Sequence, residues 1–243
     1  SVLLHKLDAD GNFIWANTID AYMANGISVD NMNNVYAVGV INDGVVDFDP
    51  GPDVSLFKSK YIDGFILKLD ENGQFRWAYG LGGVGEYDQA YDVTTDIVGN
   101  VYITGCYDDS ADFDPGLENY NVKSNGSSDV FVIKINPTGA LQWVNSFGTS
   151  EEDQGWALHL GKNGNLFCGG IYNVQGDNGD IFIQKYTICN SSESSIAISD
   201  CDSVEYNGKW YYESGTYYQY LKNSIGCDSL ITIDVSLSAS QRV

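Results

Sequence analysis

Asp63–Asp70 reads Asp-Gly-Phe-Ile-Leu-Lys-Leu-Asp, and Gly73 and Trp77 follow it. Its apolar side chains at positions 65, 67 and 69 alternate with Ile66 and Lys68, which is the period of a β-strand with one face more buried than the other. The glycine stands where a hairpin turn needs a positive φ. The stretch therefore predicts two antiparallel strands joined by a tight turn.

The same stretch recurs along the chain. The related copies are Lys6–Asp8 with Gly11 and Trp15, Asp129–Asn136 with Gly139 and Trp143, and a partial copy at Asp180–Tyr186. The equivalent lysines stand at positions 6, 68, 134 and 185, which are 62, 66 and 51 residues apart. Self-similarity at such a period indicates structural units that stack to share a core.

Each unit also contains a second hairpin, seen at Ala90–Gly105 with its turn at Val98–Asn100. Four short strands, glycine-rich turns and one tryptophan per unit predict an all-β chain of β-propeller blades rather than a sandwich. Because Trp15, Trp77 and Trp143 recur once per unit, we expect them in the core between blades and not as sugar-binding platforms. The sequence holds about three blades, whereas closed propellers have roughly four to eight. We therefore expect an incomplete ring that opens at the third strand of a blade, with further blades before Ser1.

The pattern divides the chain into segments. Residues 1–187 are predicted to hold the repeats, with units near 1–62, 63–128 and 129–187. The serine-rich residues 188–199 are interpreted as a linker, residues 200–237 as a small β module, and residues 238–243 as a tail.

Two units carry an insertion that the third lacks. From Gly39 to Asp63 is 24 residues, from Gly105 to Asp129 is again 24, and from Gly170 to Asp180 is 10. The insertion holds a repeated Asp-Phe-Asp-Pro-Gly motif, which places Asp47 with Asp49 and Asp112 with Asp114. Paired carboxylates in a loop suit Ca²⁺, which takes roughly 6–8 oxygen ligands. The alternative is an Asx-type turn in which Phe48 and Phe113 anchor the loop.

The small module offers a disulfide and an aromatic strip. About forty residues bury little surface and usually need a covalent staple, so Cys201 and Cys227 are the natural pair. Cys106 and Cys168 stand near matching places in adjacent units and could bridge, which leaves Cys189 unpaired. So small a module cannot bury all its tyrosines, so we expect an exposed strip that contacts a carbohydrate or a protein. The alternative is that the β-propensity of tyrosine alone accounts for these residues. The strip comprises Tyr211, Tyr217, Tyr218 and Tyr220, with Tyr212 beside them.

Composition excludes several classes of function. Lys and Arg number 12 against 33 Asp and Glu, a net charge of −21, which argues against binding nucleic acid or an anionic membrane surface. No apolar run approaches the roughly 20 residues of a membrane helix, so no membrane insertion is expected. His5 and His159 fall on predicted strands with no nucleophile motif, so no catalytic residue is assigned.

The repeat resembles the bacterial SBBP-type β-propeller repeat over roughly residues 1–187, through Phe-x-x-Lys-Leu-Asp-x-x-Gly-x-x-x-Trp and Gly-Asn-Val-Tyr-x-x-Gly. Its insertion resembles a long-loop variety in secreted Bacteroidetes proteins. The Cys-Asp-Ser and Gly-Cys-Asp-Ser motifs over 201–237 resemble a small β module that often precedes a type IX secretion signal. These resemblances imply a secreted or cell-surface bacterial protein. Ser110, Ser203 and Ser229 also resemble the Asp-Ser acceptor of Bacteroidetes O-glycosylation.

The function expected from the sequence is non-enzymatic: extracellular binding or adhesion to a glycan or surface protein, or a scaffold segment of a large protein. One alternative is a polysaccharide-acting glycosidase or lyase on a propeller. The other is a purely structural spacer. Carboxylates that converge on a deep pocket would favour the enzyme.

Overall fold

The computed structural model describes residues 1–114, 120–161, 164–175, 178–188, 192–222 and 228–238. Within these ranges every regular element is a β-strand, which confirms the predicted all-β class. None of the described residues forms a helix long and apolar enough to cross a membrane. The chain divides into two compact units, Ser1–Thr187 and Ile188–Val243.

The first unit is built of strands connected in sequence. They are β1 Val2–Leu7, β2 Phe13–Ile19, β3 Met23–Val29, β4 Val35–Ile41, β5 Gly44–Asp47, β6 Leu56–Ser59, β7 Asp63–Leu69, β8 Phe75–Gly83, β9 Gln89–Thr95, β10 Val101–Tyr107, β11 Ser110–Asp112, β12 Asn121–Lys123, β13 Asp129–Ile135, β14 Leu141–Phe147, β15 Glu152–Leu160, β16 Asn165–Gln175 and β17 Asn178–Thr187.

These strands form antiparallel sheets that repeat one pattern, and we call each sheet a blade. Blade one is β3-β4-β7-β8, blade two is β9-β10-β13-β14, and blade three is β15-β16-β17. The β1-β2 hairpin matches the last two strands of a blade. The register between second and third strands is the same throughout, with the pairs Gly39–Phe65, Gly105–Phe131 and Gly170–Phe182.

The blade boundaries differ from the predicted unit boundaries. The units near 1–62, 63–128 and 129–187 begin at the third strand of a sheet, whereas the blades begin at Met23, Gln89 and Glu152. Each sequence unit therefore combines the second half of one blade with the first half of the next. Similarity between copies gives the length of a repeat, but hydrogen bonding between strands sets where each sheet begins.

The insertion forms a small hairpin between the second and third strands of a blade. β5 pairs with β6 in blade one, and β11 pairs with β12 in blade two. β11 also pairs with β8 of blade one, where Ala111 lies opposite Gly83. In blade three β16 ends at Gln175 and β17 begins at Asn178, which leaves no room for this hairpin.

The turn between the last two strands of a blade is held by an aspartate. Asp70 Oδ1 accepts the backbone N–H groups of Asn72 and Gln74 at 2.8 and 2.9 Å. Gly73 has a φ of 78°, in the left-handed region that favours glycine. The Asp-x-x-Gly pattern therefore specifies the turn through local geometry.

Apolar cores lie between neighbouring blades. Ile66 of blade one is fully buried in a core with Val93 and Ile103 of blade two. Trp15 donates its indole N–H to the Glu71 carbonyl of blade one, 3.1 Å away. Trp143 and Tyr186 of blade three stack with their ring centroids 6.0 Å apart. The predicted place of these tryptophans between blades is confirmed.

The second unit is a separate sheet. Its strands are β18 Ser192–Cys201, β19 Val204–Tyr206, β20 Lys209–Tyr211, β21 Gly215–Lys222 and β22 Asp228–Ser238. β22 lies between β21, which is antiparallel to it, and β18, which is parallel. β19 and β20 form a hairpin.

The linker predicted over 188–199 is wrong from Ser192 onward, because β18 occupies that segment. Ile196 and Ile198 stand two residues apart and pack against a core with Ile233 and Val235. They alternate with the small residues Ser195, Ala197 and Ser199, which is the period of a strand with one buried face. The high serine content of the segment led to its interpretation as a linker despite this short alternating pattern.

Candidate functional site

An open cavity of about 540 Å³ lies in the first unit, where the blades meet. It is lined by Ile62, Glu86, Tyr87, Asp108, Ser127, Ser128, Glu152 and Gln154. These residues precede the first or third strand of a blade, follow its second strand, or open β15. Small-ligand sites typically have volumes of roughly 300–1,000 Å³ and a few convergent polar groups. This cavity is therefore the candidate functional site.

The connection between blades one and two holds one wall. Ile62 and Tyr87 form an isolated β-bridge, and the Asp88 N–H donates to the Ile62 carbonyl at 2.9 Å. Asp108 Oδ1 accepts the Tyr87 N–H at 3.1 Å. The backbone of Tyr87 is thus fixed from two sides while its side chain stays exposed.

The connection between blades two and three holds the opposite wall in the same way. The Asp153 N–H donates to the Ser128 carbonyl at 2.8 Å, and the Ser127 N–H donates to the Ser150 carbonyl at 3.3 Å. Glu152 opens β15 beside them. The cavity is therefore framed by two successive blade junctions that use equivalent bonds.

The cavity is acidic. Glu86, Asp108 and Glu152 contribute carboxylates to its lining. Lys60 lies close by: the Tyr61 hydroxyl raises the pKa of Lys60, and the charge of Glu86 raises it further. Across the described ranges, no three acidic, histidine or cysteine side chains gather into a metal-binding group. Each of the three carboxylates can accept hydrogen bonds from a ligand.

A pair of buried aspartates lies at the first junction. Any side chain at Gly82 would collide with both Asp63 Oδ1 and Asp88 Oδ2, so the two carboxylates converge on one point. Asp88 Oδ2 accepts the Gly83 N–H at 2.9 Å, and its Oδ1 accepts the Asp108 N–H at 3.0 Å. Asp63 Oδ1 is buried and has no hydrogen-bond partner.

Burial raises the pKa of Asp88 to about 7. The N–H groups of Asp108 and Gly83 oppose that rise, and the charges of Asp108 and Asp63 add to it. Burial also raises the pKa of Asp63, and the neighbouring Ser59 hydroxyl lowers it by less. The first junction therefore holds two carboxyl groups that resist being charged together.

The second junction repeats the pair with more partners. A side chain at Gly148 would collide with both Asp129 and Asp153. Asn125 donates its backbone N–H and its side-chain amide to the two oxygens of Asp129. Asp153 accepts three bonds, from the N–H and hydroxyl of Thr149 and from the Asn173 N–H. Burial raises the pKa of Asp129, and the charge of Asp153 adds to this.

The predicted calcium residues lie in the insertion hairpins. Asp47 Oδ1 accepts the N–H groups of Asp49 and Ser55 at 3.1 and 2.9 Å, and Asp49 Oδ1 accepts that of Gly51 at 2.7 Å. These bonds form Asx-type turns, and the buried Phe48 anchors the loop.

The second insertion repeats this geometry. Asp112 Oδ1 accepts the N–H groups of Asp114 and Tyr120 at 3.0 and 2.9 Å, and Phe113 is buried. Asp112 and Asp114 also line a separate cleft of about 290 Å³ with Phe57 and Tyr79. Calcium binding at either hairpin stays a prediction.

The predicted tyrosine strip is only partly exposed. Tyr211 is 2% exposed and belongs to the core with Ile233, so the expectation of an exposed Tyr211 is wrong. Tyr217 lies half-buried against it, with ring centroids 4.6 Å apart. Tyr218 and Tyr220 are exposed. Alternation along β21 places these two residues on one face of the strand and Tyr217 on the other.

The cysteines of the first unit do not form the bridge considered from the sequence. Cys106 and Cys168 are buried free thiols. Cys168 lies 3.3 Å from the Thr104 hydroxyl, and Cys106 contacts the Tyr91 hydroxyl. Burial raises the pKa of both thiols, to about 12 for Cys106 and about 11 for Cys168. They are packed core side chains.

The predicted staple of the second unit lies partly outside the described residues. Cys201 forms no disulfide with any described residue, and its sulfur lies 3.5 Å from the Ser238 hydroxyl. Cys227 and Cys189 lie outside the described residues. The Cys201–Cys227 disulfide stays a prediction.

The serines of the Asp-Ser motifs differ in exposure. Ser229 is buried on the central strand β22, whereas Ser110 and Ser203 are partly exposed. A glycosyltransferase needs an accessible hydroxyl, so the folded chain disfavours Ser229 as an acceptor. His5 and His159 are exposed on β1 and β15, away from the cavity lining.

Sequence reasoning missed the residues that frame the cavity. A recurring signal was present: Glu86-Tyr87-Asp88-Gln89 and Glu151-Glu152-Asp153-Gln154 are copies of one Glu-x-Asp-Gln segment. In both copies the aspartate enters a buried pair and a neighbouring residue lines the cavity. The first copy ends at the start of β9 and the second overlaps the start of β15, so the repeat itself brings both copies to the same end of their blades.

Comparison with known proteins supports the repeat architecture. No protein-family model matches the chain. In an alignment 178 positions long, which covers 64% of this chain, the sequence is 27% identical to an uncharacterized WD repeat-containing protein of Acanthamoeba polyphaga mimivirus. The similarity covers 12% of that protein's length. WD repeats form propeller blades. Together with the repeated sheets, this similarity identifies a β-propeller-like repeat protein.

Proposed function

We propose that this chain is a non-enzymatic, glycan-binding segment of a larger extracellular protein. The cavity between the blade junctions supports the proposal. The exposed Tyr87 offers an aromatic face for the apolar side of a sugar ring. Glu86, Asp108 and Glu152 offer acceptors for sugar hydroxyl groups, and Ser127 offers a hydroxyl that both donates and accepts.

The position of Asp88, the carboxyl group whose pKa is raised most, favours binding over catalysis. Asp88, with a pKa of about 7, suits a general acid in this respect. Its side chain is fully buried, however, and both its oxygens accept backbone N–H groups. It is absent from the cavity lining and cannot pass a proton directly to a ligand there.

A glycan array followed by calorimetric titration of the best oligosaccharide tests the proposal. We expect Tyr87→Ala to weaken binding about fivefold, because loss of aromatic stacking removes about 1 kcal/mol. Glu152→Gln should weaken binding by a smaller factor, since the amide keeps one acceptor. Tyr22→Ala is the matched control, because Tyr22 is an exposed tyrosine outside the cavity lining.

Two results would contradict glycan binding in this cavity. One is an array with no bound oligosaccharide. The other is an affinity that Tyr87→Ala and Tyr22→Ala change equally. If Tyr218→Ala in the second unit abolishes binding instead, the glycan site lies on the exposed face of β21.

The second candidate is a polysaccharide-acting enzyme, which the three carboxylates around one cavity favour. Release of reducing or unsaturated sugar ends during incubation with acidic and neutral polysaccharides distinguishes it from a binding protein. Turnover lost in both Glu86→Gln and Glu152→Gln, with oligosaccharide affinity retained, would establish the enzyme. A chain that neither binds nor turns over any glycan would fit a structural spacer.

The finer classification belongs to the same proposal. The repeat signature supports assignment to the SBBP type, and the net charge of −21 suits an extracellular setting. Export by a type IX route to the bacterial surface follows from the resemblance of the C-terminal motifs. Fractionation of the native host, with intact-mass analysis for glycans on Ser110 and Ser203, tests both export and modification.

Calcium binding at the insertion hairpins is a further part of this proposal. Asp47, Asp49, Asp112 and Asp114 bring two carboxylates to each hairpin, and carboxylate oxygen is the ligand that Ca²⁺ prefers. Titration should then show binding that the double variant Asp47→Asn, Asp112→Asn removes. Absence of both a binding signal and a gain in melting temperature at millimolar Ca²⁺ would leave the carboxylates with their Asx-turn role alone.

A further inference from the structure

The buried pair Asp63 and Asp88 lies directly behind one wall of the cavity. Asp63 follows Ile62 in the chain and Asp88 follows Tyr87. Ile62 and Tyr87 are the two cavity residues that form the isolated β-bridge. Asp63 is 6% exposed and Asp88 is 0% exposed. Any force between the two carboxyl groups therefore acts on the two segments that build this wall.

Hydrogen bonds connect Asp88 to the same wall. Its Oδ1 accepts the N–H of Asp108, and Asp108 Oδ1 accepts the N–H of Tyr87 at 3.1 Å. The loop before Tyr87 packs so closely on Asp108 that a side chain at Gly85 would collide with the Asp108 carboxylate and carbonyl. Two successive hydrogen bonds thus link the carboxyl group of Asp88 to the backbone of Tyr87.

The surroundings of Asp88 oppose a negative charge on it. The ionisable groups that face Asp88 are Asp63 of β7, Cys106 and Tyr107 of β10, and Asp108 beyond β10. β8 faces it with Gly82 and Gly83, which have no side chain. Lys60 lies close to the cavity, but the carboxylate that acts on it is Glu86. A charge on Asp88 is therefore repelled by two carboxylates and stabilised by the N–H groups of Gly83 and Asp108.

The second junction compensates its equivalent pair. Asn125 bonds both oxygens of Asp129, and Asp153 accepts three further hydrogen bonds. Donors of this kind favour the charged form of a carboxyl group. At the first junction Asp63 Oδ1 is buried without a partner. The two walls of the cavity therefore rest on pairs that tolerate charge differently.

We propose that a proton held by Asp63 and Asp88 controls the cavity wall that carries Tyr87, and so regulates ligand binding. With the proton in place the two carboxyl groups remain close together beside Gly82, and the bridge between Ile62 and Tyr87 stays closed. Loss of the proton adds negative charge to the buried pair, and repulsion loosens the two segments. The effect on affinity rests on the glycan-binding function proposed above, whereas the loosening of the wall does not.

The direction of the pH dependence follows from burial. Burial raises the pKa of Asp88 to about 7, so the proton is held below about pH 7 and lost above it. The wall is therefore firm on the acidic side of this midpoint and loosened on the alkaline side. Linkage is reciprocal, so a ligand that needs the firm wall takes up protons when it binds near the midpoint.

Nuclear magnetic resonance of the ¹⁵N-labelled chain 1–243 from pH 5 to pH 9 tests the wall without any ligand. We expect the amide signals of Tyr87 and Asp108 to shift with a common midpoint near pH 7. Over the same range the Asp88 N–H, which donates to the Ile62 carbonyl, should lose at least threefold of its protection against hydrogen exchange. Asp88→Asn should abolish both changes, because an amide side chain does not titrate.

Titration calorimetry with the oligosaccharide chosen from the array tests the regulation. Wild-type affinity should be about fivefold weaker at pH 8 than at pH 6, which is the lower end of typical coupling between two sites. Asp88→Asn should bind equally well at both pH values. The matched control is Asp43→Asn, which removes an exposed carboxylate outside the cavity lining and should keep the wild-type ratio.

The two measurements separate the possible failures. Amide signals without a midpoint between pH 6 and pH 8, or shifts that persist in Asp88→Asn, would overturn the proposed role of the proton. Unchanged protection of the Asp88 N–H, or a wild-type affinity that is equal at pH 6 and pH 8, would overturn its control of the wall or of binding. If no oligosaccharide binds at either pH, the glycan-binding function fails, and the resonance data alone decide whether the proton moves the wall.

Discussion

The two junctions between blades contain the same aspartate pair, but they satisfy it differently. At the second junction Asn125 bonds both oxygens of Asp129. At the first junction Asp63 Oδ1 is buried without a partner. Asn125 precedes its aspartate by four residues, whereas the residue at that distance before Asp63 is Ser59, whose hydroxyl donates to the Tyr61 carbonyl. This loop position thus accounts for the difference: Asp129 has a donor on each oxygen, whereas Oδ1 of Asp63 has none.

The largest expected effect is the loss of stability when the second aspartate of each pair is removed, Asp88 at the first junction and Asp153 at the second. Asp153→Ala leaves three donors without their acceptor, whereas Asp88→Ala leaves two backbone N–H groups. A buried unsatisfied donor costs about 1–3 kcal/mol. We expect Asp153→Ala to lower the unfolding free energy of the first unit by about 3 kcal/mol or more, and Asp88→Ala by less at pH 8. Scanning calorimetry measures both, and an equal loss would remove the distinction between the junctions.

The next effect is a pH dependence that comes from Asp88. Its pKa is about 7 in the folded chain, well above the ordinary aspartate pKa of 3.8, so the native state keeps a proton that the unfolded state has lost. The contribution of Asp88 to stability is therefore full below about pH 4 and falls as pH rises to about 7.

Comparison of wild type with Asp88→Asn isolates this contribution, because the amide does not titrate. From pH 5 to pH 8 the unfolding free energy of the wild type should fall relative to the variant, on the order of 2 kcal/mol. Denaturant titrations at each pH provide the values. A difference that is constant over this range would mean that the Asp88 carboxyl is charged in the folded chain at pH 5.

Changing one aspartate of each pair to asparagine should have a smaller effect on stability, and the effect should be opposite at the two junctions. Asp63→Asn removes a buried charge and gives the unpartnered position a donor facing Asp88, so stability at pH 8 should rise by about 1 kcal/mol. Asp129→Asn forces an NH₂ group against a donor of Asn125, so stability should fall by about 1–2 kcal/mol. Both are read from melting at pH 8. If both variants change the stability in the same direction, the hydrogen bonds from Asn125 do not explain the difference between the two junctions.

The smallest expected effect is a coupling between Asn125 and Asp129. Asn125→Ala should make the second junction resemble the first, so that Asp129→Asn becomes less harmful in that background. A double-mutant cycle should give a coupling of about 0.5–1 kcal/mol. Strictly additive changes would contradict the bonds between these two side chains.

The repeat made the fold predictable, but not the site. Period-2 apolar patterns and Asp-x-x-Gly turns act within one strand or one turn, so the strand at Asp63 and its copies could be read directly. The cavity could not, because Glu86, Asp108 and Glu152 are remote in sequence and only packing of successive blades brings them to one place. The segment from Ser192 was predicted to be a linker because its serine-rich sequence does not specify a strand. Packing of Ile196 and Ile198 against the core of the second unit makes it one.

By itself the sequence determined the all-β class, the length of the repeat, the turns and the place of the tryptophans, since these follow from local backbone geometry and the alternation of side chains. Only the tertiary structure decided which carboxylates are buried together and which of them receive hydrogen bonds. Burial and the loss of hydrogen-bond partners are properties of the neighbours that a strand acquires. Identical copies such as Asp63 and Asp129 therefore end in different environments.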